Sequence, residues 1–291
     1  MAWPEAAASE QKLRMRARLT PLRTRSSLER QNYGVVMAEK SIILTLEQRP
    51  ERGEMLKASE LIEIYGAEKL PLNARRIYNL LLHQAHGPEM TVPHHKFRIP
   101  LSELKYADEG KGRVRKHILD LMSTFISFTH HDRNEDDLIP LLGYSTIGRN
   151  EESGYLTYEF DPRLVAILSD SQIFAKLQLD VIRAMSSKYA LALYELVAKR
   201  ARLSFVHSET FPLEQFRALI GVPTGKLDTY SNLLKFAIRP AVDEVNRLAD
   251  FHVAFEPVKV GRRVDAIKLA WALKDIEGRK LAYSQIHSLA E

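Results

Sequence analysis

Two stretches about 112 residues apart run the same course. FRIPLSELKY (97–106) and ETFPLEQFRALIGV (209–222) each read as a short strand, a proline, a leucine and a short helix. Their surroundings repeat as well. An amphipathic helix precedes each: LPLNARRIYNLLLHQAH (70–86), with Asn73 as N-cap, and SSKYALALYELVAKRARL (186–203), capped by Ser186 or Ser187. A longer helix follows each, VRKHILDLMSTFISF (114–128) after Gly110 and Gly112, and SNLLKFAIRPAVDEVNRL (231–248). A strand pair closes each half. LIPLLGYSTIG and GYLTYEFD flank the polar RNEES, while FHVAFEPV and RVDAIKLAWAL flank Lys259 to Arg262. Helix, strand, short helix, long helix and hairpin is the order of a winged helix, a helix-turn-helix with a β-hairpin appended. The pattern predicts an α+β chain of two tandem winged-helix domains of similar topology.

The first domain is expected over 41–165, opening on a strand at SIILTL (41–46) and a short helix at EMLKASELIEIY (54–65). A connecting helix, begun at Asp161-Pro162, is expected over 166–185, then a second domain over 186–275 and a tail over 276–291. Residues 1–40 form a basic arm. Its 11–30 segment sets Lys12, Arg14, Arg16, Arg18, Arg23, Arg25 and Arg30 against Glu29 alone, with little apolar surface to bury, so disorder is expected. Contact with phosphates, a solvated tail and an organelle transit peptide all remain open for it.

Charge sorting in the long helix of the second half indicates a partner. Apolar residues recur at Leu234, Ile238, Ala241, Val245 and Leu248, one helix face. That stripe leaves Tyr230, Ser231, Asn232, Lys235 and Arg239 free, and no acid occurs between Thr229 and Val242. Asp243 and Glu244 come only afterwards. The second helix of a helix-turn-helix places its N-terminal residues against base edges in the major groove. Cations there gain affinity by releasing counterions, and carboxylates would be repelled. Pro240 should bend this helix or begin a fresh one; the unbroken stripe favours a single bent helix.

The hairpin VKVGRRV groups Lys259, Arg262 and Arg263 around Gly261 with no acid nearby, as a wing on a phosphate backbone requires. In the first half, KGRVRKH supplies Lys111, Arg113, Arg115 and Lys116 at the start of the equivalent helix. Cations at a helix N-terminus oppose the macrodipole. They are either a second DNA surface or a solvated helix start.

Other function classes fare worse. With no cysteine, disulfides and thiolate metal sites are excluded, and a reducing cytoplasm fits. No apolar run approaches the roughly 18 residues that a membrane span needs. A rolling-circle nuclease needs a His-apolar-His metal pair and a nucleophilic tyrosine. His94-His95 and His130-His131 are adjacent instead, and Tyr189 and Tyr194 fall near an apolar helix face. HHDRNEDD (130–137) reads as a solvated loop. GVPTGKL (221–227) lacks the Ser or Thr that a phosphate loop carries after its lysine, and reads as the turn before the long helix. No enzyme activity, metal or cofactor is expected.

MSSKYALALYELV (185–197), KFAIRPAVDEVN (235–246), EPVKVGRRVDAIKLAW (256–271) and KASELIEIYGAEKLPLNARRIYNLLL (57–82) together resemble the iteron-binding plasmid replication initiators of bacteria. The resemblance covers about residues 41–275. It implies a protein that binds short direct repeats of double-stranded origin DNA through both winged helices. It would help melt an adjacent A·T-rich segment and recruit the host initiator and replicative helicase. Self-association as a dimer, through the first domain, would repress its own promoter. By position, Lys235 and Arg239 with the start of their helix would read bases, and Arg262 and Arg263 would grip phosphates. One departure is that Phe236 is followed by Ala237 and Ile238, where the family often has adjacent basic residues. The alternative is a winged-helix transcriptional repressor without an origin function, since both need the same groove contacts.

Overall fold

Strand β1 (Glu54–Ala58) occupies the stretch whose pattern predicts a short helix, and a 3-10 turn, Ser59–Leu61, follows it. It is a strand because it has a partner far along the chain. Its register runs antiparallel from Glu54 opposite Gln178 to Ala58 opposite Phe174. The computed structural model describes residues 50–51, 53–105, 112–130, 135–149, 154–171, 173–203 and 205–289. The basic arm, Lys111 and the strand expected at 41–46 lie outside the described residues.

Helix α1 (Leu72–Ala85) begins after Pro71, so Asn73 sits within the first turn rather than capping it, and accepts from Arg76 Nη1 at 2.7 Å. Then come β2 (Phe97–Pro100), a 3-10 turn at Leu101–Leu104, and α2 (Arg113–Met122). The helix expected to reach Phe128 stops at Met122. The hydroxyls of Ser123 and Thr124 turn back on the carbonyls of Leu119 and Asp120, at 2.8 and 2.6 Å. Beyond them FISFTH alternates, with Phe125 outward and Ile126 buried, and forms β3 (Phe125–His130) against β4 (Glu135–Pro140). HHDRNEDD therefore joins two strands, with 131–134 outside the described residues. LIP of the predicted hairpin belongs to β4, and the hairpin itself is β5 (Ser145–Ile147) against β6 (Tyr155–Tyr158).

The single connecting helix expected over 166–185 is interrupted. Helix α3 (Pro162–Asp170) is capped by Asp161, whose Oδ1 accepts from the Arg163 amide at 2.9 Å. Next β7 (Phe174–Gln178), with alternating burial, fills the open edge of β1, and a short α4 (Leu179–Ala184) follows.

The second half contains α5 (Lys188–Ala201), capped by Ser187, then β8 (Ser208–Pro212) and α6 (Leu213–Leu219). A short α7 (Tyr230–Leu233), a π turn (Leu234–Ile238) and α8 (Arg239–Leu248) come next. Strands β9 (Phe251–Val260) and β10 (Arg263–Leu273) follow. The last segment, expected as a tail, is helix α9 (Ile276–Ser288). Asp275 caps it by accepting from the Gly278 amide at 2.7 Å, and Ala282 and Ile286 are buried.

Sheet order β2-β6-β5 in the first half and β8-β10-β9 in the second is one topology. The first strand pairs with the last, and the middle one lies on the outer edge. The hairpin β3–β4 is an insertion in the first copy. A continuous apolar core joins the halves, and a buried polar cluster crosses between them. Lys57 Nζ on β1 lies 2.8 Å from Glu195 Oε2 on α5 and 2.9 Å from Asn79 Oδ1 on α1; Asn79 Nδ2 donates to Glu195 Oε1 at 2.7 Å. Arg76 of α1 donates to the carbonyls of Ile182, Arg183 and Met185, closing the end of α4.

Candidate nucleic-acid interface

Thr229 begins the long helix of the second half, its hydroxyl accepting from the Asn232 amide at 3.2 Å. Backbone dihedrals stay right-handed through Leu233, Leu234, Ile238 and Arg239, so Pro240 neither breaks the helix nor starts a separate one. The π turn explains how. A proline inside an α-helix clashes with the carbonyl four residues back. Here the turn before it is widened, with the Arg239 amide bonding the Leu234 carbonyl five residues back. The extra residue also shifts the buried face. Leu233, Ala237, Ile238, Ala241, Val242, Val245 and Leu248 are buried, whereas Leu234, assigned to the stripe by periodicity, is half-buried.

Ser231, Asn232, Lys235, Phe236, Arg239 and Pro240 are exposed. The Arg239 guanidinium makes no hydrogen bond or ion pair among the described residues, and the Lys235 ammonium lies 5.1 Å over the Phe236 ring. Tyr230 is half-buried. Its ring packs on the core, its hydroxyl is enclosed without a hydrogen-bond partner among the described residues, and burial pushes its pKa up while Arg239 pulls it back. The packing of its ring anchors the start of the helix. Of the two acids behind Pro240, Glu244 is buried and accepts from the Ser186 amide at 2.6 Å, at the start of α5. Its place is set by an internal bond, and Asp243 alone of this pair faces solvent.

The turn before this helix is held from within. Arg217 of α6 is buried and donates to the carbonyls of Leu227 at 2.8 Å and Lys226 at 2.6 Å. Those bonds hold Leu227 at φ 53°, a left-handed conformation costing about 1–2 kcal/mol for a residue with a Cβ. GVPTGKL is thus the tight turn between α6 and α7.

The wing is a two-residue hairpin, Val260 opposite Arg263, with Gly261 at φ 61° in the first turn position. A positive φ there is the mark of a type II′ turn, whose twist suits paired strands. Lys259, Arg262 and Arg263 are all exposed. An acid does lie nearby: a register shift after Val264 leaves Asp265 as an extra, exposed residue in β10. In the first half Arg113, Arg115 and Lys116 are exposed on α2, but Lys116 is matched by Asp120 at 2.9 Å.

The structure therefore gathers Ser231, Asn232, Lys235 and Arg239 on one helix face and Lys259, Arg262 and Arg263 on the hairpin that follows. It leaves Tyr230 half-buried against the core and adds Phe236, 53% exposed between the two cations. Phe236 lies off the apolar stripe, which is the sequence signal for it. Arg217 left no such signal, because its carbonyl partners meet it only once the turn is formed.

Comparisons with known proteins point the same way. The family profile described as Initiator Replication protein, WH1, matches residues 54–198, and Initiator Rep protein, WH2, matches residues 212–271. The crystal structure of Pi initiator protein in complex with iteron DNA is similar over 78% of this chain and 99% of that one. Its TM-score is 0.56 at 18% identity, a likeness of fold. Domains 2 and 3 of RctB align over 80% of this chain and 97% of that one at 10% identity and a TM-score of 0.40, too distant to carry weight. No curated protein sequence matches the chain.

Proposed function

Because this chain belongs to the family of initiator replication proteins with WH1 and WH2 domains, we propose that it starts plasmid replication by binding iterons, repeated sequences in double-stranded origin DNA. The observation that carries this reading is both family domains in one chain, the second presenting an acid-free helix front and a lysine- and arginine-bearing wing. The second winged helix is the main reader. In sequence, the stretch between the hairpin strands of the first half, RNEES, holds two acids, whereas that of the second, KVGR, holds two cations. Arg113 and Arg115 make auxiliary phosphate contacts.

Self-association runs through the first domain. Phe125 and Leu138, 52% and 59% exposed, lie on one face of the β3–β4 hairpin, an apolar surface that a second copy would cover. Bound at the origin, the protein promotes opening of the neighbouring duplex and recruitment of the host initiator and helicase, in the bacterial cytoplasm. It does so by binding, with no bond-breaking activity of its own. No helix among the described residues is long and apolar enough to cross a membrane.

Footprinting on the DNA flanking its own gene tests this reading. Regularly spaced, directly repeated protected segments are expected. A lone inverted site at a promoter would mean a repressor without an origin function, and no protection on any fragment would end the DNA reading. The wing has its own test. Replacing Arg262 and Arg263 together with alanine should flatten the slope of log affinity against log salt by about 0.9 for each phosphate that is no longer neutralised. An unchanged slope would take the wing off the DNA.

A further inference from the structure

Phe236 is the one strongly apolar side chain on the outward face of the reading helix, flanked by Asn232, Lys235 and Arg239. Its neighbours Leu233, Ala237 and Ile238 are buried, so the core is complete without it. The Lys235 ammonium lies 5.1 Å over its ring, and Pro240, one turn on, extends the apolar surface. An exposed ring between two cations that must approach DNA will itself enter the groove. There it is desolvated against whatever apolar group the groove offers. The base edges of the major groove are hydrogen-bonding groups, with one apolar exception, the C5-methyl of thymine.

We propose that Phe236 is a specificity residue that reads a thymine C5-methyl group in the bound repeat. This rests on the DNA-binding reading above and adds a base-selective contact that charge alone cannot supply. A lysine or arginine contact to phosphate is the same for every sequence. The packing of a ring on a methyl group disappears when the methyl is absent, even where every hydrogen-bonding group is kept.

Deoxyuridine differs from thymidine by that methyl alone, which makes it the probe. Within a footprinted repeat, each thymine is replaced singly by deoxyuridine, and affinity is measured for the full chain, for Phe236→Ala and for Phe236→Leu. The unaltered protein should lose affinity roughly fourfold at one thymine, the factor expected for one buried methyl-sized group. Phe236→Ala should bind the thymine and deoxyuridine forms of that position equally, with responses elsewhere unchanged. Phe236→Leu, which keeps an apolar side chain, should regain part of the discrimination. If no thymine is sensitive, or if Phe236→Ala keeps the same sensitive thymine with the same ratio, the proposal fails while the DNA reading stands. If the unaltered protein binds no fragment, both fail together.

Discussion

Replacing Glu195 with alanine is expected to lower the stability of the folded chain by about 3–5 kcal/mol, the usual cost of removing one partner from a buried ion pair. Glu195, Lys57 and Asn79 are all buried, and their three mutual bonds span both halves of the chain. Without Glu195, the Lys57 ammonium keeps only the Asn79 oxygen and remains shut away from water. The cost lies mainly in that stranded charge. Converting Lys57 to methionine in the same chain should therefore recover much of the loss, since apolar replacements of whole buried pairs are often tolerated.

A pH signature follows. Burial pushes the Lys57 pKa down, and Glu195 opposite it pulls it back up. Once Glu195 is removed, the pKa in the folded state falls further below the unfolded value of about 10.4. Below the lowered pKa both states hold the proton and the penalty is complete. Between the two values the unfolded chain binds more protons, so stability rises with pH. The deficit of the Glu195→Ala chain should thus be large at neutral pH and shrink towards alkaline pH. Denaturant midpoints across that range are the measurement. A midpoint equal to that of the unaltered chain at neutral pH would show that the cluster contributes little.

Arg239→Ala should weaken binding to a footprinted repeat by about 1–3 kcal/mol, or roughly 5- to 150-fold, as loss of a bidentate base contact does. The Arg239 side chain has no bond to lose within the fold among the described residues, so the unfolding midpoint should stay put while affinity falls. Arg239→Lys should restore only part of it, because an ammonium cannot reproduce the planar two-pronged donor. Titrations on the repeat and on scrambled DNA separate the outcomes. Equal losses on both would assign Arg239 to a phosphate and remove it from base reading.

Much of this site was legible before any tertiary contact was known. The cations at 235 and 239, the acid-free interval and the Gly261 hairpin follow from spacing and residue type alone. Tyr230 and Glu244 were harder. Periodicity leaves Tyr230 free, but its ring turns onto the core. Charge sorting reads Glu244 only as an acid kept away from DNA, but it bonds the Ser186 amide 58 residues away. Both depend on neighbours that periodicity does not include.

The chain order of elements in each half and the sorting of charge along the second long helix were determined by the sequence itself. Helix faces, caps and tight turns arise from residues three or four positions apart, and those residues are adjacent in any reading. Strand identity at Glu54–Ala58 and Phe174–Gln178, the break in the connecting segment, the packing of the last helix and the polar cluster between the halves were decided only by tertiary structure. A strand is stabilised by the partner across from it. A buried lysine is tolerable only opposite its carboxylate, and here each partner lies more than a hundred residues away.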